Sequence, residues 1–572
     1  MGLSRRRLLH GAPLLALGAC ASGAGRGQAD LVFTGGDVHV ADSAATRHSA
    51  LAVRGNQIVA VGSNADINAL AGPRTRRVAL DGRTVLPGIN DSHLHLLMWS
   101  LGQPPFSLDV SFPAVRSIAD VVSLVGAEAR RRPQGDWIAG RGWDQPYLEE
   151  GRAPTRHDLD AVAPDHPVAL TEFSGHAVWA NTAALKLAGI TRDTVPPVGG
   201  VIVKDELGEP TGLLFEGAAW AVRDAVPDPT PSQNKAALRA GMQALLARGI
   251  TSCTVPGIAP EILQQMSEIA REPDINKLRV TALVRSPDNL DALGEVLREF
   301  DRLDAVRSPW FQTPGVKIMG DGIPTMNRTA WLHDDYVGGG NGTLLIAGET
   351  HDERVAELGR MVALIHGRRQ QLGIHVTGDR SIDAAVAACL AAQTAEPFAD
   401  PRHYLIHADL ISPPTLRQAA RAGIGVNFNP EIKHLIADSQ VYAIGVTRAA
   451  YEWPYRTALD SGAIVASSSD APVTAGNWLQ GISTMVSRVG KQSGRVSGPE
   501  QKIALDEAIR TYTWAGAWQD RAESYKGTLA VGQVADLCVL QGRIDAIASD
   551  QLPAAGVALT VVDGRVVHDA LT

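Results

Sequence analysis

Two histidines stand close together near residue 90, where they could bind a single metal ion. His93 and His95 lie in the segment 90–95, which reads Asn-Asp-Ser-His-Leu-His. In an extended chain, residues i and i+2 project to the same face, so both imidazoles can reach one divalent ion. Asp91 could orient one of the rings from behind. Because histidines at this spacing are also common on surfaces, the pair by itself identifies no metal site.

Three more candidate ligands each end or follow a short apolar run. They are His375, His407 and Asp470. In a barrel of parallel strands, the carboxyl ends of the strands meet at one face, so these side chains would converge with the histidine pair. Each one alone could be a satisfied buried polar group, and Asp470, which precedes an Ala-Pro pair, could be a helix cap. Together, four histidines and an aspartate in this order indicate a metal centre.

A lysine lies inside another apolar run. Lys317 is flanked by Val316 and Ile318. A buried ammonium group is costly and tends to lose its proton. The residue could pair with Asp321 or another carboxylate, or its neutral amine could react with carbon dioxide to give a carbamate. A carbamate is an anionic ligand with two oxygens that can bridge two metal ions.

The elements that would position these residues alternate between helix and strand. Helical patterns over 232–248 and 352–372 precede short apolar runs, which is typical of a parallel α/β architecture. The runs predicted to form barrel strands are 84–88, 249–255, 278–284, 316–319, 373–376, 404–407, 424–427 and 464–467. Eight parallel strands are the number of a TIM-type (β/α)8 barrel. Residues 100–230 exceed any usual loop, so they are predicted to form an inserted subdomain over the barrel mouth.

The two chain ends carry a different, β-rich pattern. Residues 30–85 alternate short apolar runs with turn residues, and residues 525–572 contain a hairpin signal at Asp563-Gly564. Neither end has enough strand to bury a core of its own. The two ends are therefore predicted to pair in one small β-sandwich domain, which leaves residues 86–524 as the barrel.

The first twenty residues are predicted to be an export signal. A run of three arginines at 5–7 precedes a short apolar stretch that ends at Leu17-Gly18-Ala19-Cys20. This order is typical of a secretory signal, although a basic, apolar start without such a role is the alternative. The beginning resembles a twin-arginine signal, and the end resembles a bacterial lipobox with Cys20 as the lipidated residue. Residues 21–29 are predicted to be a flexible tether, so the protein is expected to be periplasmic or lipid-anchored at the outer face of a bacterial membrane.

Composition narrows the classes of function. The 572 residues are 45% hydrophobic and 20% charged, which is ordinary for a globular protein. The net charge of −8 argues against a nucleic-acid-binding surface, which would be basic. The four cysteines stand singly, so neither a CxxC motif nor a disulfide framework is expected. The expected partner is a small-molecule substrate, with membrane contact only through the lipid, and an oligomer is possible.

Several sequence phrases carry a resemblance to a known family. They are 86–95, 142–144, 174–181, 316–318, 321–322, 374–380, 406–408, 469–473 and 532–537. With metal-ligand types in the order His-x-His, Lys, His, His and Asp, the chain resembles the amidohydrolase superfamily that has a binuclear metal centre. More narrowly, it is similar to amidohydrolase family 3, the subgroup of N-substituted formamide deformylase-like metal-dependent hydrolases. The resemblance covers residues 30–570.

The resemblance implies a role for each candidate residue. The more buried ion would be bound by His93, His95 and Asp470, the second by His375 and His407, and both by Lys317 as a bridging carbamate. Two divalent ions, with zinc as the expected metal, would activate water to hydrolyse an amide-like C–N bond in an amide, formamide or cyclic amide. Asp470 would carry the proton to the leaving nitrogen. His176, in the insertion, would contact the substrate or the oxyanion, or else cap the chain near Asn181.

Two other functions stay open at this point. A mononuclear deaminase of the same fold would not need a bridge at Lys317. A catalytically inactive exported lipoprotein that binds a small molecule would not need all six ligand types. The family pattern is also altered between Asp321-Gly322 and Arg328-Thr329-Ala330, where Ile-Pro-Thr-Met-Asn replaces small residues, so the substrate pocket is expected to differ. Trp143 and Trp179 could line that pocket or pack in a core.

Overall fold

The structure is a computed structural model that describes residues 27–173, 175–197, 200–272, 278–303, 308–325 and 328–571. The predicted export signal with Cys20 and residues 21–26 of the predicted tether lie outside the described residues. No helix among the described residues is both long and apolar enough to cross a membrane.

The strands are numbered in chain order. They are β1 (Ala29–His39), β2 (Arg47–Arg54), β3 (Gln57–Gly62), β4 (Ala71–Ala79), β5 (Thr84–Pro87), β6 (Ile89–Asp91), β7 (Leu108–Asp109), β8 (Ile138–Trp143), β9 (Val168–Glu172), β10 (Ala177–Ala180), β11 (Val201–Lys204), β12 (Pro210–Phe215), β13 (Ile250–Ile258), β14 (Arg279–Arg285), β15 (Phe311–Met319), β16 (Gln371–Val376), β17 (Tyr404–His407), β18 (Gly425–Phe428), β19 (Val465–Ser467), β20 (Leu537–Leu540), β21 (Val557–Val562) and β22 (Arg565–Asp569).

The α-helices are numbered in the same way. They are α1 (Asn64–Asn68), α2 (Leu96–Leu101), α3 (Ile118–Ala129), α4 (Arg156–Asp160), α5 (Thr182–Leu187), α6 (Gly217–Asp224), α7 (Pro231–Ala247), α8 (Pro260–Arg271), α9 (Leu290–Leu303), α10 (His351–Gly367), α11 (Asp379–Ala395), α12 (Pro413–Arg421), α13 (Pro430–Tyr451), α14 (Tyr455–Asp460), α15 (Trp478–Ser487), α16 (Leu505–Thr511) and α17 (Trp514–Gln519). The chain kinks within α13 at Gly445, whose φ of 79° is not helical.

Eight parallel strands form the central sheet, in the order β19-β18-β17-β16-β15-β14-β13-β6. They are apolar and buried along most of their length, as expected where helices cover the outside of a parallel sheet. The two edges of the sheet approach each other, because the Ser92 N–H donates to the Ser467 carbonyl oxygen at 3.4 Å. The prediction of an α/β fold with a TIM-type barrel is confirmed.

One predicted barrel strand belongs to another sheet. The sequence pattern predicts that the run 84–88 begins the barrel, but β5 pairs with β1 and β20, and the barrel begins at β6. The chain passes between the two sheets at Gly88, where a Cβ would lie 2.1 Å from Thr251 Oγ1. Both β5 and β6 are apolar and buried, so hydrophobic pattern alone does not show where one sheet ends and the next begins.

Strands from the two chain ends lie in one sheet, in the order β22-β21-β20-β5-β1-β2-β3, with β4 also paired to β1. A buried ion pair joins this sheet to the barrel, because Arg279 of β14 donates through Nε to Asp536 Oδ2 at 2.6 Å. Removing one partner of such a pair would leave an uncompensated buried charge, so the contact holds the two sheets in a fixed relation.

The segment between β6 and β13 contains a third sheet, in the order β11-β12-β10-β9-β8-β7, with its own apolar core. Trp143 and Trp179 are buried in that core, where their rings meet edge to face with centroids 6.2 Å apart. Each indole N–H donates to a backbone carbonyl, of Leu170 and Thr155 respectively. The two tryptophans therefore stabilise the inserted sheet by packing.

Candidate metal centre

All six predicted metal-ligand residues lie at or near the carboxyl ends of barrel strands. His93 and His95 follow β6, Lys317 lies close to the end of β15, and Asp470 follows β19. His375 lies in β16 and His407 ends β17. Because the strands are parallel, their carboxyl ends are at the same face of the barrel.

Asp470 lies between the first two histidines. Its Oδ1 atom is 3.1 Å from His93 Nε2 and 3.2 Å from His95 Nε2. The ligand atoms of His93, His407 and Asp470 all lie within 4.8 Å of one another, and all three residues are buried. Among the described residues, the buried Asp470 Oδ1 has no hydrogen-bond partner. A buried carboxylate oxygen this close to several imidazole nitrogens fits a divalent cation, which all of these atoms could bind at once.

His407 continues the cluster toward His375. The ring centroids of His375 and His407 are 4.4 Å apart, and those of His93 and His407 are 5.2 Å apart. His407 Nδ1 lies 2.7 Å from Asn429 Oδ1, and His375 Nε2 lies 3.1 Å from the Gly322 carbonyl oxygen. Both partners are acceptors, so each ring donates one N–H outward and keeps a lone pair on its other nitrogen. The nitrogens that keep a lone pair are Nε2 of His407 and Nδ1 of His375.

Burial keeps these histidines neutral. It lowers the pKa of His93 to about 3 and that of His375 to about 4, and in both cases the charge of Lys317 lowers it further. Burial and the neighbouring His375 hold the pKa of His407 well below its usual range. A neutral imidazole has the lone pair that metal binding requires, so the cluster is ready to bind a cation at neutral pH.

Comparison with known proteins shows the family to which the chain belongs. The model of the amidohydrolase family matches residues 76–568. The chain belongs to the amidohydrolase family. The predicted resemblance is therefore confirmed.

Two relatives match over nearly their whole length. The putative amidohydrolase YtcJ of Bacillus subtilis (strain 168) is 30% identical over 551 residues, which cover 94% of this chain and 99% of the relative. The N-substituted formamide deformylase of Arthrobacter pascens is 28% identical over 548 residues, which cover 94% of this chain and 97% of the relative.

A solved structure shares the fold. It is an uncharacterized metal-dependent hydrolase from Pyrococcus furiosus, with a TM-score of 0.68 and 23% sequence identity. The match covers 89% of this chain and 98% of that chain. At this identity the likeness shows that the two proteins share a fold.

Lys317 of this amidohydrolase is only 4% exposed, on the wall of the barrel. Burial lowers its pKa to about 7, although the charge of Asp470 opposes the shift. A large share of the amine is therefore unprotonated near neutral pH, which is the form that reacts with carbon dioxide. The alternative pairing with Asp321 is not what the structure shows, because that carboxylate accepts hydrogen bonds from Trp331, Thr377, Gly378 and Ser381.

Asp91 has a different role from the predicted one. The sequence suggests that it orients an imidazole, but its two carboxylate oxygens accept hydrogen bonds from the Ser469 N–H at 3.0 Å and the Ser469 hydroxyl at 2.5 Å. Burial raises the pKa of Asp91 to about 6, against these hydrogen bonds. Asp91 thus positions the turn that carries Asp470, a residue with a φ of 58°. Such strain commonly marks a functional site.

His176 lies on the inserted sheet, between β9 and β10. Its Nδ1 atom is 3.1 Å from Glu216 Oε2, and its side chain is 43% exposed. Asn181 caps helix α5 with its own side chain, which accepts a hydrogen bond from the Ala184 N–H, so the cap does not involve His176. The described contact of His176 is therefore with Glu216 of the insertion and not with any of the six cluster residues.

Sequence reasoning missed two groups that hold the ligands. The Gly322 carbonyl could not be read from a side-chain pattern. Asn429, however, follows the apolar strand β18 as His407 follows the apolar part of β17, and this shared position at a strand end is a signal that could have found it.

Replacing Asn429 with alanine is expected to weaken metal binding by about 10- to 100-fold, because the His407 ring loses the acceptor that fixes its tautomer. Titration of the metal-free variant with zinc, monitored by a competing chelator, measures the affinity. Asn429→Asp, which keeps an acceptor oxygen, is the matched control and should retain most of it. Unchanged affinity in Asn429→Ala would mean that His407 needs no such orientation.

Proposed function

We propose that this protein is a metal-dependent hydrolase that cleaves an amide-like C–N bond, in an amide, a formamide or a cyclic amide. Membership of the amidohydrolase family supports a hydrolase, and the relative from Arthrobacter pascens is named for N-substituted formamides. The observation that carries the proposal is the buried Asp470 carboxylate, whose Oδ1 lies within 3.2 Å of the Nε2 atoms of His93 and His95 and whose ligand atoms lie within 4.8 Å of those of His93 and His407.

The donor set fits two divalent ions. One ion would be held by His93, His95 and Asp470, the other by His375 and His407, and both by Lys317 as the carbamate. Imidazole and carboxylate ligands in this mixture suit zinc, which is the metal that we expect. When bound, such a pair supplies a water molecule of lowered pKa and a Lewis acid for the carbonyl oxygen.

The residues of the chain would then guide the proton. Burial raises the pKa of the Asp470 carboxyl, but the neighbouring His93 and His95 outweigh burial and hold that pKa well below its usual range, so Asp470 is ionised. It can accept the proton of the attacking water as the new C–O bond forms. It can then donate this proton to the nitrogen as the C–N bond breaks, so that the amine leaves neutral. His176, on the insertion, would hydrogen-bond the substrate, with Glu216 fixing the orientation of its ring.

Metal analysis tests this proposal directly. Elemental analysis of the purified protein is expected to find close to two divalent ions per chain, and removal of the ions by a chelator should abolish amide hydrolysis until zinc is restored. The double variant His93→Ala/His95→Ala should lose bound metal, whereas His157→Ala, which removes an exposed imidazole of the insertion, should not. One ion per chain would favour the mononuclear deaminase instead, and none would favour a binding protein without catalysis.

A further inference from the structure

One edge of the inserted sheet contacts the part of the chain that follows barrel strand β18. β8 and β9 are parallel, and Phe173 follows β9 directly. The Lys491 ammonium lies 5.6 Å from the centroid of the Phe173 ring. The backbone N–H of Lys491 donates a hydrogen bond to the carbonyl oxygen of His434, in the helix that follows barrel strand β18. Side chains at this edge of the insertion therefore lie beside the loops that surround the candidate metal centre.

A bulge in β8 directs a guanidinium group to this edge. Gly142 has a φ of 111°, and the pairing of β8 with β9 shifts by one residue between Arg141 and Trp143. A Cβ at Gly142 would lie 2.6 Å from Ser111 Cβ, so no other residue fits there. Because of the bulge, Trp143 points into the apolar core with Ile138, and Arg141 projects from the opposite face, on which α6 packs.

A second guanidinium reaches the same point from α6. Arg223 donates through Nη2 to the Gly175 carbonyl oxygen, and Arg141 Nη2 lies 4.0 Å from the position that a Cβ on Gly175 would take. The Arg141 guanidinium makes no side-chain hydrogen bond or ion pair with the residues that the structure describes. Burial lowers the pKa of Arg223, and the like charge of Arg141 lowers it further. Two cations thus flank Gly175, next to His176.

Nearby carboxylates offset this charge only in part. Glu172 attracts Arg141, and Asp224 and Glu216 attract Arg223, but in both arginines the cost of burial outweighs this attraction and lowers the pKa. Glu216 is also occupied with His176. The two guanidinium groups therefore keep donors to spare for a planar anion, which they recognise better than lysine would.

We propose that Arg141 and Arg223 form a binding subsite for a carboxylate group of the substrate. This inference rests on the proposed function, which it extends by naming the substrate class: amides that carry a carboxylate. Trp220 precedes Arg223 by one turn of α6, and its side chain is 51% exposed, while Phe173 is 49% exposed. These two rings supply an apolar surface beside the cations, so the carboxylate is expected to adjoin an aromatic or alkyl group.

Calorimetric titration of the metal-loaded protein with phenylacetate and with the neutral analogue 2-phenylethanol tests the subsite. We expect the carboxylate to bind at least about 10-fold more tightly than the alcohol, since each charge-assisted pair contributes about one factor of ten. Arg141→Gln and Arg223→Gln should each weaken phenylacetate binding about 10-fold and alter binding of the alcohol by less than about 3-fold. Retained binding of the alcohol shows that the variants are folded.

Two further variants separate the subsite from a general effect of charge and from catalysis. Arg152→Gln removes an exposed arginine of the same insertion, paired with Asp158 at 3.0 Å, and should leave both affinities unchanged. Lys317→Ala should lose catalysis yet still discriminate between the two ligands, so a failure of the proposed hydrolase function would not be mistaken for failure of the subsite. Phenylacetate binding that is unchanged in both Arg141→Gln and Arg223→Gln, or equal loss of both ligands, would overturn the proposal.

Discussion

Replacing Lys317 with alanine is expected to reduce amide hydrolysis by at least about a thousandfold and to remove most of the bound metal, because the proposed bridging ligand disappears. The fold should survive. Lys317 is a buried amine whose desolvation disfavours its charged form, so its loss removes an unfavourable burial along with the ligand. Elemental analysis, turnover and thermal unfolding of the metal-free variant, compared with metal-free wild type, measure the three effects.

Lys526 provides a matched control, since it is a buried lysine with a carboxylate partner. Its ammonium donates to Asp520 at 2.9 Å, so Lys526→Ala should lower stability while metal binding per folded chain is retained. Propionate added to Lys317→Ala should restore part of the activity, because a small carboxylate can take the place of the carbamate. Likewise, metal should load into wild-type protein more slowly from buffer that has been freed of carbon dioxide. Normal turnover in Lys317→Ala would refute the bridging role.

Replacing Asp470 with asparagine is expected to lower kcat by about 10²- to 10⁴-fold, the usual range for a lost general acid–base group. The amide keeps the size of the side chain and one ligand oxygen, but it cannot accept the proton of water. The wild-type carboxyl has a pKa well below its usual range, so it stays ionised in mildly acidic solution. The ionised Asp470 carboxylate therefore contributes to kcat throughout the neutral and mildly acidic range. The loss of kcat in Asp470→Asn should accordingly be seen at every pH from about 5 to about 8.

The leaving group distinguishes proton transfer from metal binding. The aniline of an anilide with an electron-poor ring leaves without prior protonation of its nitrogen. Asp470→Asn should therefore impair hydrolysis of this anilide less than hydrolysis of a simple alkyl amide. Metal content of the variant is measured in parallel. Equal losses on both substrates, with the metal retained, would show that Asp470 does not donate the proton to the leaving nitrogen.

Much of the architecture follows from local pattern. Short apolar runs between amphipathic helices give a parallel barrel, because buried strands covered by helices must be apolar on both faces. The position of the ligand residues at the ends of those runs is also visible in the sequence, since parallel strands end at one face. The first barrel strand is misplaced by the pattern because β5 and β6 are both buried and adjoin at Gly88, so their compositions are alike.

The sequence by itself determined the family, the barrel and the order of the six candidate metal-ligand residues, because each of these depends on the type of a residue and its place along a strand. Only the tertiary structure decided which groups hold those residues in position. The Gly322 carbonyl orients His375, Asn429 orients His407 and Asp91 fixes the turn of Asp470. The first two bonds join the ends of neighbouring barrel strands, and the third joins the first barrel strand to the last, so Asp91 meets Ser469 because the barrel closes.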